Sequence, residues 1–260
     1  MSRAGCSRSA LGGAACTLIA LVAAGLPVRA HAGTTVLGAP AVEEIAGWEG
    51  DSHGQGYGFA GFGWLVPAGA RLVVPLRAFG SYLYYNFESS GTITKVRSPG
   101  LTLLAGIRFP GAGGSFTLLA GGEARREYRT SDAGAGTAET KTTSGIVLQA
   151  DADRAFGRRW RGYVFANYGG ATRYLYGRTA MRYQVTNLDW RGPASFFLGL
   201  EAVGQGNDES EAAQGGGFAE WNLVPRRLSL ALHGGYKENW SPGESHHRGG
   251  YLGLTLYHRF

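Results

Sequence analysis

Acids and bases that fall on alternate residues of otherwise apolar segments are the groups in this chain with the means to do chemistry. Glu123, Arg125 and Glu127 alternate with Gly122, Ala124 and Arg126, and Asp151 and Asp153 with Ala150 and Ala152. Glu201 sits between Leu200 and Ala202, Glu220 between Ala219 and Trp221, His233 between Leu232 and Gly234, and Lys237 between Tyr236 and Glu238. Arg77, Arg178, Arg182 and Arg259 complete the set. A pair of acids such as Glu123 and Asp151 is what glycoside hydrolysis requires when the two carboxyls are held at a fixed separation. No feature of the spacing fixes that separation here. Mixed signs at this density read first as structural ion pairs filling a narrow interior. The other reading is a polar conduit or saccharide-contacting surface, with Tyr174 and Tyr176 as faces on which sugar rings could stack. Ser245, His246 and His247 offer the residue types of a hydrolase, and with His233 or Glu244 those of a metal site. Adjacent positions in a polar loop do not converge as a triad or a ligand set must. No catalytic residue, metal or cofactor is therefore assigned.

The elements that must carry these groups are strands. The alternation predicts strands over Ala41–Gly50, Gly56–Val66, Arg71–Tyr85, Pro99–Phe109, Ser115–Tyr128 and Thr143–Arg154. It continues with Trp160–Tyr168, Arg173–Gln184, Ser195–Gly204, Ala212–Leu223, Arg227–Asn239 and Gly249–Phe260. Many approach the roughly 9–11 residues that a tilted membrane-spanning strand needs. Short turns at Pro67, Pro110, Gly157 and Pro225 alternate with longer polar stretches such as Asn86–Ser98 and Thr130–Thr142. An even set of about twelve strands with alternating connections describes an up-and-down antiparallel transmembrane β-barrel. An arginine or lysine on the lipid face at mid-depth would cost roughly 2–4 kcal/mol, so the ionic face must point inward. Leu118, Leu148, Leu198, Leu230 and Leu232 then face lipid. Trp64, Tyr84, Trp160, Trp221, Tyr236 and Tyr257 lie near strand ends, where aromatic girdles form.

Both ends of the chain fit such a barrel. The last ten residues place Leu252, Leu254, Leu256, His258 and Phe260 on one face and finish on an aromatic. Leu252, Leu254, Leu256 and Phe260 are similar to the C-terminal signal read by the outer-membrane barrel assembly machinery. At the other end, Arg3 and Arg8 precede an apolar run from about Leu11 to Leu26, followed by Ala30-His-Ala32. That is the pattern of a cleaved secretory signal peptide. It implies a signal over residues 1–32 and a barrel over 33–260. Cys6 and Cys16 both lie in the signal, so no disulfide is expected.

Glycine at 44 of 260 residues argues against helices and for twisted, closely packed strands. The formal charge of +6 includes Arg3, Arg8 and Arg29 of the signal, and no basic tract with interleaved aromatics supports nucleic-acid binding.

Five stretches carry a resemblance to a known family. They are Ile45-Ala-Gly-Trp-Glu-Gly-Asp51, Tyr57-Gly-Phe-Ala-Gly-Phe-Gly63, Leu76-Arg-Ala-Phe-Gly-Ser-Tyr-Leu-Tyr-Tyr85, Leu104-Ala-Gly-Ile-Arg-Phe109 and Leu198-Gly-Leu-Glu-Ala-Val-Gly-Gln-Gly-Asn-Asp208. In this order they resemble the cellulose biosynthesis protein BcsS group of exported barrels. The resemblance implies a non-catalytic outer-membrane protein of a Gram-negative bacterium that assists cellulose or exopolysaccharide production or export. Its surroundings would be outer-membrane lipid, the assembly machinery and polysaccharide-secretion components. It brings no catalytic residues. Two alternatives stay open. One is a small diffusion porin, since twelve strands lie between filled eight-stranded barrels and open 16–18-stranded porins. The other is a barrel enzyme acting on lipid or saccharide.

Overall fold

A computed structural model of the chain describes residues 40–69, 71–89, 91–131, 139–188, 194–208, 210–223, 226–240 and 246–260. The expected signal peptide with its two cysteines, the Pro225 turn residue, Glu244 and Ser245 lie outside the described residues.

The described residues form twelve strands: β1 (Ala41–Asp51), β2 (Gly56–Gly69), β3 (Leu72–Ser89), β4 (Thr92–Gly111), β5 (Gly114–Ser131), β6 (Glu139–Phe156), β7 (Trp160–Gly169), β8 (Tyr174–Leu188), β9 (Ala194–Gly206), β10 (Glu211–Leu223), β11 (Leu228–Trp240) and β12 (His247–Arg259). Each pairs antiparallel with its sequence neighbours, and β1 pairs with β12, so the sheet closes into a barrel. The seam runs from Glu43 opposite Arg259 to Asp51 opposite Tyr251. The last residues take part in it: the Arg259 N–H donates to the Arg227 carbonyl at 3.0 Å and the Phe260 N–H to the Val42 carbonyl at 2.9 Å. His258 meets the Phe260 ring edge-on, with centroids 4.2 Å apart.

The strands differ from expectation in length. Asn86–Ser98 and most of Thr130–Thr142 read as polar loops, yet β3 runs to Ser89, β4 starts at Thr92, β5 runs to Ser131 and β6 starts at Glu139. Above the lipid a strand no longer needs an apolar face, so polar residues continue the ladder and the sequence loses its alternation while the hydrogen bonding persists. The four strands β3–β6 therefore stand higher than their neighbours; β7, with 10 residues, is the shortest.

The outer face is apolar. Leu101, Leu103, Ile146, Leu148, Leu198, Leu200, Leu232 and Leu254 are exposed. Trp64, Trp160 and Trp221 mark the belt near the short-turn end, and Tyr82 and Tyr236 the belt toward the other. Trp64 pairs with Leu76, and Tyr84 lies eight residues further along β3, a span of roughly 26 Å along the strand. At a strand tilt of about 40° this is a height of roughly 20 Å, most of an apolar band about 25 Å tall. Tyr257, expected in a girdle, faces inward instead: its hydroxyl donates to Glu43 Oε2 at 3.2 Å. Its parity with Thr255 and Gly253 decided its direction, over its nearness to the strand end.

Leu200 is the midpoint of β9 and 73% exposed. Leu200→Arg is expected to destabilise the barrel by about 2–4 kcal/mol in urea titrations in lipid vesicles, while Leu200→Phe stays close to the parent.

Candidate functional site

Side chains on strands that are not neighbours in the sheet can meet only across the barrel interior, and many of the charged residues do so. Glu43 on β1 is fully buried and accepts a hydrogen bond from Arg77 Nε of β3 at 2.8 Å. Arg108 of β4 lies 3.8 Å from the same carboxyl, and Tyr257 of β12 donates to it. Asp151 of β6 stands 3.9 Å from Arg77, so one cluster ties β12, β1, β3, β4 and β6 together.

A second cluster centres on Glu201 of β9. Arg178 of β8 forms a close ion pair with it, His233 of β11 lies 3.2 Å away, and the Tyr251 hydroxyl of β12 donates to Oε1 at 2.8 Å. The path of Tyr251 is set by glycine. Glu201, Gly216, Gly235 and Tyr251 are successive register partners across β9–β12. A Cβ at Gly216 would come within 2.3 Å of the tyrosine hydroxyl. The two glycines form a furrow in which the ring lies across two strands to reach the carboxylate.

Nearer the short-turn end, Glu220 pairs with Arg182 and accepts from Ser229 Oγ at 3.1 Å. Asp153 takes Arg161 through both oxygens, at 2.8 and 3.1 Å. At the other end Asp51 accepts the backbone N–H groups of His53 and Gln55, and Lys237 Nζ donates to it at 2.8 Å. Lys237 is the register partner of Gly249, where a Cβ would come within 2.1 Å of the Ser52 hydroxyl, so the glycine lets the β1–β2 turn approach β12. Gln214 of β10 donates to Glu49 of β1 at 2.7 Å. Arg125 binds Glu123 at 3.1 Å and Ser81 at 3.1 Å. Not all of the interior is ionic, since Leu104, Leu119 and Val147 form an apolar cluster against Phe79.

The connection after β7 also enters this space. Ala171 N–H donates to Glu123 Oε1 at 3.1 Å, and a Cβ on Gly145 would lie 2.2 Å from that nitrogen. Tyr174 donates to Gln205 at 2.7 Å, and Tyr176 meets Phe165 edge-on at 5.7 Å, with Tyr163 beyond Phe165.

Glu123 and Asp151, the acids named as a conceivable catalytic pair, are not brought together. Glu123 is opposite Gly145, six residues and roughly 20 Å along β6 from Asp151, well beyond the spacing of a glycosidase pair. His233 and His247 are similarly distant, because His247 is opposite Asn239, six residues along β11. His246 instead lies 3.4 Å from Glu238, and His247 packs against His53. Among the described residues no group of three His, Cys, Asp or Glu side chains is placed to hold a metal.

Several principal members of the network escaped the sequence reading: Glu43, Glu49, Asp51, Arg108, Arg161 and Tyr251. Parity held the signal for four of them. Trp48 facing lipid turns Glu43, Glu49 and Asp51 inward, and Ile107 and Phe109 facing lipid turn Arg108 inward.

The family model described as cellulose biosynthesis protein BcsS matches residues 47–260. Among solved structures, the β-domain of the Bordetella autotransporter BrkA is 11% identical with a TM-score of 0.52, covering 85% of this chain and 98% of that one. The translocator domain of the autotransporter NalP from Neisseria meningitidis is 15% identical, covering 96% and 98%, with a TM-score of 0.47. A COG4313 outer membrane channel from Pseudomonas putida F1 is 11% identical, covering 88% and 100%, with a TM-score of 0.44. No curated protein matches the chain.

Removing one partner of a buried ion pair leaves the other uncompensated. Glu43→Gln should lower unfolding stability by about 3 kcal/mol in urea titrations of the folded barrel, whereas Glu44→Gln, one residue away on the outer face, should change it by less than about 0.5 kcal/mol.

Proposed function

The chain belongs to the cellulose biosynthesis protein BcsS family, and from that premise we propose that it is a non-catalytic outer-membrane accessory to the production or export of cellulose or a related exopolysaccharide. Family membership over residues 47–260 is the observation that carries the proposal. Residues 1–32 would act as the export signal. Leu252, Leu254, Leu256 and Phe260 would then be read by the barrel assembly machinery; the outward exposure of Leu252, Leu254 and Phe260 supports that role.

The non-catalytic reading draws support from the state of the interior acids. Glu43, Glu123, Asp153, Glu201 and Glu220 each hold a cationic partner, and a carboxylate committed to a guanidinium is a poor proton donor or acceptor. Their role on this reading is to brace the wall. For the saccharide, we assign the aromatic side of the interior near the loop end. Tyr174 and Tyr176, backed by Tyr163 and Phe165, offer ring faces that match the apolar faces of β-linked glucose units.

The accessory reading and the diffusion-porin reading separate in a planar bilayer. With ion pairs crossing the interior, the parent protein is expected to give no steady open-pore current, and a stable conductance like that of a 16-stranded porin would return the porin reading. Deleting the gene should lower extracellular cellulose, with recovery on complementation; unchanged cellulose overturns the proposal. Tyr174→Ala with Tyr176→Ala should weaken cellohexaose binding roughly tenfold in calorimetry at unchanged stability, and equal binding removes the tyrosine assignment.

A further inference from the structure

Charge at the short-turn end of the barrel is distributed unlike that of the interior. Arg71, Arg158, Arg159, Arg226, Arg227 and Arg259 are all exposed there. Of the carboxylates described at that end, Glu43, Asp153 and Glu220 are committed to interior partners. Glu44, the exposed acid, sits 3.6 Å from His258. The rim is thus an arginine ring without matching acids among the described residues.

One part of the ring is concave. A cavity of about 520 Å³ lies between the ends of β10, β11 and β12, lined by Asn222, Leu223, Arg227, Leu228, Ser229, Tyr257 and Arg259. Ser229 and Tyr257 spend their hydroxyl protons on Glu220 and Glu43, which leaves the two guanidiniums as the strong donors. Neither Arg227 nor Arg259 has a carboxylate within ion-pair distance among the described residues. Arg227 also has φ of 47°, a left-handed conformation that glycine or asparagine would adopt at lower cost.

We propose that this cleft is the anchor of a docking surface for an acidic polypeptide segment of a periplasmic partner. In outer-membrane barrels the short turns face the periplasm. A bidentate guanidinium–carboxylate contact is what two unpaired arginines in a largely apolar cleft are suited to make. The ring spans turns on opposite sides of the barrel, so a small anion would meet only a fraction of it and an extended acidic chain would meet the whole. Asn222, Ser229, Tyr257 and Arg259 share the inward face with Glu220 and Glu43, while Leu223 and Leu228 share the outward parity of Trp221 and Leu230, so the charged side of the cleft borders the barrel mouth and its leucines border the lipid. The inference rests on the barrel's orientation and is independent of the saccharide assignment.

The test uses the mature barrel in nanodiscs and a fluorescein-labelled hexaglutamate peptide read by anisotropy. Arg227→Asn, chosen because asparagine tolerates positive φ, and Arg259→Gln should each weaken binding roughly tenfold, and binding should fall steeply with salt. Arg248→Gln at the opposite end should leave it unchanged. Retained heat-modifiable mobility on gels confirms that each variant is folded. Affinity unaltered by both rim substitutions overturns the proposal. So does displacement of the peptide by equimolar inorganic phosphate, or an effect of the substitutions on phosphatidylglycerol vesicle binding alone.

Discussion

Backbone N–H and C=O groups placed in hydrocarbon have no water to bond, and the pairing of β1 with β12 is what leaves none of the sheet's edges open. Everything else in the molecule answers to that closure. A closed wall has one face in lipid and one face turned inward, and alternation along each strand sends every second side chain to each. Charged residues then have one place to go. Once inside, in a space shared with apolar groups such as Leu104 and Leu119, they must be paired, and they are paired mostly with strands other than their own neighbours.

That pairing reinforces the wall that produced it. Glu43 sits at the seam and is held by β3, β4 and β12; Asp51, at the far end of the same strand, is held by β11. The first strand is therefore fixed through side chains as well as through the ladder. Glycine makes such reach possible. The furrow of Gly216 and Gly235 lets Tyr251 lie flat across two strands, and Gly249 makes room for Ser52 and His53 of the β1–β2 turn. In this barrel the abundance of glycine serves the interior network as much as the bending of the sheet.

Where alternation was enforced by lipid, the sequence was readable: all twelve strands lie where the pattern put them, because a misplaced charge at mid-depth is too costly to persist. Where that pressure stopped, so did the legibility. Asn86–Ser98 and Thr130–Thr142 looked like loops since polar residues fall on both faces, yet Asn86–Ser89, Thr92–Ser98, Thr130–Ser131 and Glu139–Thr142 extend β3–β6. Tyr257 looked like a girdle residue by position and is an interior one by parity. The partners in the network were hidden for another reason. Which acid meets which base depends on how strands far apart in sequence face each other across the barrel, and local periodicity carries no record of it. Glu123 and Asp151 illustrate the point, sharing a face and a pair of adjacent strands while standing six register positions apart.

The unequal strand lengths give the barrel a slanted outer lip. On one side four strands rise as a stiff curved screen whose hydrogen bonds continue into water; on the other, from β7 onward, the wall stops sooner. A long, rigid molecule arriving from outside would meet the screen broadside and could lie over the mouth only from the low side. The Tyr174 end of β8 borders that low side, so the approach to the aromatic wall is directional before any contact with it is made.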